Sequence, residues 1–157
     1  MQTLEPIVAE LPLFKGMDPG HIQLISGCAA NARYEAGEFI GRAGQPADKF
    51  WVVRQGRVAL EIHAAGRGSL LVQTIGENDA VGWSWLVPPY QLRFDIQAVT
   101  ATRALAFDAK CLRSKLASDP GLGYELMQRF SQVILRRLDA MSLQLLDLYG
   151  EHEGEHE

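Results

Sequence analysis

The sequence predicts a mainly β fold with flanking helices: a small barrel, jelly roll or sandwich, entered through short helices and left through a long one. Three observations predict it. Short runs of alternating or β-branched residues fill the middle of the chain. Glycines at 37, 41, 44, 56, 66, 68, 76 and 82 punctuate those runs at the spacing of tight turns. Before and after them the apolar spacing becomes helical.

The chain divides into an N-terminal helical segment (1–32), a β body (33–108), C-terminal helices (109–149) and an acidic tail (150–157). In the opening, Leu4, Ile7, Val8 and Leu11 recur at helical spacing until Pro12. Asp18 and Pro19 then read as a cap and first-turn pair, with Ile22, Leu24, Ile25 and Cys28 forming an apolar face. In the body, FWVV (50–53), VALEI (58–62), LLVQTI (70–75), FDIQAV (94–99) and RALAFD (103–108) read as strands. VALEI places Val58, Leu60 and Ile62 on one face. Gly56 sits where a hairpin turn needs positive φ. This order excludes a doubly wound nucleotide-binding fold, which needs long helices between its strands.

AKCLRSKL predicts a short helix broken at Asp119-Pro120-Gly121, and a longer one runs from Leu122 toward Tyr149, with Gly150 as its stop. Met127, Phe130, Ile134, Leu138, Met141, Leu145 and Leu148 follow a near-heptad spacing, so they form the candidate dimer interface. Leu122, Leu126, Val133 and Leu146 widen the stripe, leaving one side for the β body and the other for a partner helix. Arg129, Arg136, Arg137 and Asp139 fall on wetter positions. In the tail GEHEGEHE, four glutamates and Gly154 disfavour metal binding by His152 and His156, so a disordered tail is expected.

Apolar residues make up 47% of the chain and the formal charge is −4, which gives nucleic acid no basic domain to meet. Cys28 and Cys111 lack C-x-x-C spacing; buried free thiols are favoured over a disulfide. The opening residues do not form a signal peptide, and no stretch is long and apolar enough to span a membrane. A soluble, cytoplasmic protein is expected. No P-loop, H-E-x-x-H or nucleophile elbow is present, and no residue set gathers catalytic groups.

The stretches LPLFKGMDPGHIQLI (11–25) and YEAGEFIGRAGQPADKFWVVRQGRVAL (34–60) resemble the cyclic nucleotide-binding domain family, in the branch of the bacterial catabolite activator and fumarate-nitrate regulators. The resemblance implies a double-stranded β-helix (a β-roll of eight strands) with a long dimerising helix after it. It also implies a phosphate-binding cassette between the sixth and seventh strands. There a glycine and backbone amides open a short helix toward the cyclic phosphate, a glutamate holds the ribose and an arginine pairs with the phosphate.

AVGWSWLVPPYQLRFD (80–95) departs from that pattern. The family glycine falls on Gly82, the glutamate on Trp83, and the small residue two further on is Trp85. The arginine position falls on Leu92 or, shifted by one, on Arg93; the residue after it is then Arg93 or Phe94. An indole cannot accept the hydrogen bonds a carboxylate offers a ribose. Gly82, Trp83, Ser84, Trp85, Arg93 and Phe94 are therefore the candidate ligand-binding residues, for a cyclic nucleotide or another nucleotide-like anion with an aromatic ring. Two readings stay open: the indoles stack on such a ring, or they fill its space. Pro88-Pro89 would fix the exit of this loop and Tyr90 would close it. Glu38, Arg42 and Asp48 read as roll-edge and turn residues, and His63 as a structural histidine rather than a haem ligand.

The expected function is a non-enzymatic small-molecule sensor, signalling through a homodimer helix to a partner protein, without direct nucleic-acid or membrane contact. The alternative is a ligand-free dimeric scaffold with a tryptophan-plugged pocket. A lesser alternative is the sensor part of a transcription regulator whose DNA-binding part lies outside this chain.

Overall fold

A computed structural model describes residues 3–154, and side chains through residue 150. The elements are α1 (Glu5–Glu10), α2 (Pro19–Ser26), β1 (Ala29–Tyr34), β2 (Phe39–Gly41), β3 (Lys49–Gln55), β4 (Val58–Ala64), β5 (Gly68–Ile75) and β6 (Ala80–Val81). A 3₁₀ turn (Trp83–Leu86) follows, then β7 (Asp95–Ala98), β8 (Thr102–Asp108), α3 (Ala109–Ser118) and α4 (Pro120–Gly154). The strands form two antiparallel four-stranded sheets, in the orders β1-β8-β3-β6 and β2-β7-β4-β5. Their inner faces supply the core: Phe50, Val52, Leu105 and Phe107 from one, and Val58, Leu60, Ile75 and Ile96 from the other. This is the β-roll with a long C-terminal helix.

Helix starts follow local chemistry. The Asp18 carboxylate accepts from the Gly20 N–H at 2.8 Å and Pro19 opens α2; Asp119 accepts from the Leu122 N–H at 3.1 Å and Pro120 opens α4. Asp108 caps α3 through the Cys111 N–H.

Several expectations give way. Cys28 and Cys111 are not free thiols; they form a disulfide that ties the entry of β1 to α3. Eighty-three residues separate them. A pairing at that distance is a product of the fold, invisible to cysteine spacing, and it removes the free thiols as grounds for a reducing compartment. The strand β1, AANARY, begins inside the stretch assigned to helices; it has no β-branched residue and owes its conformation to six-residue pairing with β8. Gly56 does have φ +104°, and a Cβ there would meet the Ala101 carbonyl at 2.6 Å. The turn is a corner rather than a hairpin, because β3 and β4 lie in different sheets. Val58 and Leu60 point inward, but a register shift at Leu60–Glu61 breaks the alternation and leaves Ile62 exposed.

α4 also runs past Gly150 to Gly154. One helical glycine costs only about 1 kcal/mol relative to alanine, less than a signal to stop. The first half of the expected disordered tail is thus helical; residues 155–157, with His156, lie outside the described residues.

Candidate functional site

The cassette segment begins at Gly82, whose φ of +89° is left-handed. A Cβ there would come within 3.2 Å of the Trp51 ring, so conformation and packing both demand glycine. The Trp83–Leu86 turn that follows separates the two indoles. Trp83 is half-buried at the edge of the core, and Trp85 is fully buried. The Trp85 ring stacks on Phe50 at 5.0 Å and 20°, and meets Phe130 of α4 edge-on at 5.5 Å and 76°. Phe50 stacks in turn on Phe107 at 4.5 Å. From outside, Arg113 of α3 donates to the Trp85 carbonyl at 2.9 Å and lies over the Tyr90 ring. Tyr90 therefore packs on the outside of the segment and does not close a pocket.

Trp85 fills core and is not among the residues that line the cavity of the roll. Ser84 is buried beside it. Leu92, at the first of the two arginine positions, points inward and packs over Gly41, where a methyl would meet its Cδ1 at 2.6 Å. Arg93, at the second, is exposed, and Phe94 is partly buried. Gly82, Trp83, Ser84, Arg93 and Phe94 do share one cavity, but its volume is only about 10 Å³. That is room for about one water, against roughly 300–1,000 Å³ for a drug-sized ligand. The buried carboxylate nearby, Asp95, is already used: it accepts from the Ala43 N–H at 2.9 Å and from Arg42 Nε at 3.4 Å.

Another wall of that cavity is a residue the sequence reading put in water. Arg137 of α4 is 7% exposed. Leu122, Leu126, Phe130, Val133 and Arg137 follow one another at spacings of 4, 4, 3 and 4, the stripe of α4 that faces the roll. That spacing was the signal that could have found Arg137. Burial pushes its guanidinium from the ordinary arginine range down to about 10; Asp79 opposes this fall and Arg136 adds to it. Its Nη1 has no hydrogen-bond partner among the described residues.

The same stripe corrects the interface. Phe130 is 1% exposed and packs within its own protomer on Phe50 and Trp85. Met127, Leu138 and Leu145 are exposed, and Ile134 and Met141 half-buried, on a face about a quarter-turn around the helix. Leu148 continues this face. Among the other polar candidates, Glu38, Arg42, Asp48 and His63 are exposed. Among the described residues no group of three metal-ligating side chains gathers.

The model of the cyclic nucleotide-binding domain matches residues 32–119, more than half of the chain. The chain belongs to the cyclic nucleotide-binding domain family. Over 145 residues this domain is 24% identical to the CRP-like cAMP-activated global transcriptional regulator of Mycobacterium tuberculosis, covering 92% of the chain but 63% of that regulator. It is also 25% identical, over 146 residues, to a putative potassium channel protein of Rhodopseudomonas palustris, spanning 34% of that protein. Among solved structures, a putative cyclic nucleotide-binding protein from Geobacter metallireducens superposes with a TM-score of 0.78 at 20% identity, covering 88% of this chain and 99% of that one. The catabolite activator protein of Thermus thermophilus superposes with a TM-score of 0.68 at 22% identity, over 88% and 63% of the two chains. Those structural likenesses carry the fold alone. No helix of the described residues is long and apolar enough to cross a membrane.

Proposed function

We propose that this domain is a non-enzymatic regulatory module that pairs with a second copy through α4 and holds its cassette against that helix with its own tryptophan instead of a nucleotide. The carrying observation is Trp85, fully buried between Phe50 of the roll and Phe130 of α4. Three substitutions support it together. Trp83 stands at the glutamate position, Leu92 points inward at the arginine position, and Arg93 beside it points out. A ring that would enter the roll finds about 10 Å³. The sensor reading would need the roll cavity, walled by Trp83, Leu92 and Phe94 among others, to open far beyond about 10 Å³, and is second to this one.

The second copy is argued from α4. Met127, Ile134, Leu138, Met141, Leu145 and Leu148 line one face at near-heptad spacing, and three of the four with a stated exposure exceed 50%. A single seam on one helix is self-complementary about a two-fold axis, as closed dimers require. Because Phe130 and Arg137 of the same helix face the roll, the packing of α4 reports the state of the cassette to whatever binds the pair. A cytoplasmic partner protein completes the proposal.

Thermal unfolding with excess cyclic AMP, cyclic GMP and 5′-AMP, run beside light scattering, tests both halves. The expected result is a dimer whose stability none of the three changes. A ligand selective for the folded state would add RT ln(1 + [L]/Kd), about 2.7 kcal/mol at a hundredfold excess over Kd. A rise of that size with either cyclic nucleotide would restore the sensor reading.

A further inference from the structure

Arg137 also lines a second space, outside the roll. This cleft of about 200 Å³ lies where α4 crosses the link between α1 and α2 and the turn from β5 to β6. Leu13, Gln73, Asn78, Asp79, Arg136 and Arg137 contribute to it. Two buried polar atoms here lack partners among the described residues: Arg137 Nη1, a donor, and Gln73 Oε1, an acceptor. Among the described residues no carboxylate comes within ion-pair distance of Arg137. A buried cation and a buried acceptor, each unsatisfied and both carried by side chains that line one cleft, are costly unless something joins them.

We propose that this cleft is a phosphate site, in which a small protonated oxyanion accepts from Arg137 and donates to Gln73. The chemistry is set by the walls. Arg137 is more than nine-tenths buried and stays charged at neutral pH, since its pKa of about 10 lies well above 7. It needs a negative acceptor, and guanidinium and phosphate are matched in charge and shape. Gln73 Oε1 needs a hydroxyl. Asp79, also in the wall, repels a full dianion and welcomes a hydroxyl of its own. Phosphate at neutral pH carries both acceptor oxygens and O–H groups; sulfate carries only acceptors. The volume exceeds one water many times over and falls below the usual span for larger ligands. An anion held there would join α4 to the N-terminal link and the β5–β6 turn, and so bias the helix that the module uses. The inference goes beyond the tryptophan-filled cassette and does not depend on it.

Calorimetric titration of the whole chain with inorganic phosphate, glycerol 3-phosphate and sulfate, at matched ionic strength and about pH 6, where about half of a phosphate monoester still carries its O–H, tests it. Either phosphate form is expected to bind in the millimolar range or tighter, with sulfate about tenfold weaker, the difference one hydrogen bond carries. The tighter of the two phosphate forms names the source, free phosphate or a monoester. Arg137→Met should abolish binding, Arg137→Lys should retain part of it, and Gln73→Leu should erase the preference over sulfate. Circular dichroism confirms that each variant is folded. Equal binding of sulfate and phosphate by the wild type, binding unchanged in Arg137→Met, or no binding at all would each overturn the site. A dimer indifferent to phosphate sinks this inference alone, while a response to cyclic AMP sinks the earlier reading alone.

Discussion

Replacing Trp85 by alanine and, separately, by phenylalanine would test whether the indole is structural. The ring is fully buried and touches Phe50 and Phe130, so truncation removes a core-sized volume from the contact between roll and helix. Large aromatic-to-alanine changes at such sites cost about 3–5 kcal/mol. One term runs the other way. Trp85 Nε1 is buried without a partner among the described residues, and losing this single neutral donor returns about 1 kcal/mol, the low end of the penalty for an unsatisfied group. The net expectation for Trp85→Ala is a loss of roughly 2–4 kcal/mol. Trp85→Phe keeps a ring against both neighbours and deletes the orphaned donor, so it should cost about 1 kcal/mol or less. Urea unfolding followed by circular dichroism reads both, and unchanged slopes would confirm that only stability moved. A loss below about 1 kcal/mol in the alanine variant would refute the core role, as would equal losses in the two variants.

The remaining predictions concern the helix face, the disulfide and the titrations. Leu138→Glu with Leu145→Glu should turn the proposed dimer into a monomer at unchanged secondary structure, read by light scattering, because both side chains are more than half exposed within one copy. Reducing Cys28–Cys111 should destabilise the fold by at most about 4–5 kcal/mol, the chain-entropy value for a closed loop of 83 residues, read as a drop in the urea midpoint. Arg137→Met should stabilise at neutral pH by at most roughly 3 kcal/mol, the cost of lowering this pKa from the ordinary arginine range to about 10. That advantage should shrink as pH climbs past about 10, because the folded guanidinium releases its proton before the unfolded one and the wild type recovers. Tyr34 runs in the opposite sense. Burial raises its phenol above 10.0 against the hydrogen bond from Trp51, so its share of stability is whole below 10.0 and falls as pH rises past it. Phenolate absorbance of the wild type and Tyr34→Phe would show the late-titrating group.

The order of elements was legible along the chain because turns, caps and periodicity are local. Asp18-Pro19 opens a helix where its chemistry says it should, Asp119-Pro120, read from the sequence as a break, turns out to open the next one, and Gly56 and Gly82 take the positive φ that only glycine holds without strain. The resemblance carried by residues 11–60 reached the family, and it put Trp83 at the glutamate position and Leu92 or Arg93 at the arginine position of the cassette. The near-heptad seam of α4 was likewise a matter of spacing.

Everything that depended on which surfaces meet was decided by the tertiary structure. Periodicity shows that a helix has an apolar face; it does not say what covers it. So Phe130, a member of the seam by spacing, turned inward to Trp85, and Arg137, polar by type, was carried into the roll by its place on the stripe. Trp83 and Trp85 are identical in chemistry and two residues apart, yet a single 3₁₀ turn sends one to the edge and the other to the centre of the core. Cys28 and Cys111 became partners only because β1 and α3 meet, a contact between residues 83 apart that no local pattern encodes. Local rules are set by neighbours in the chain, whereas burial, pairing and the electrostatics of a cleft are set by neighbours in space.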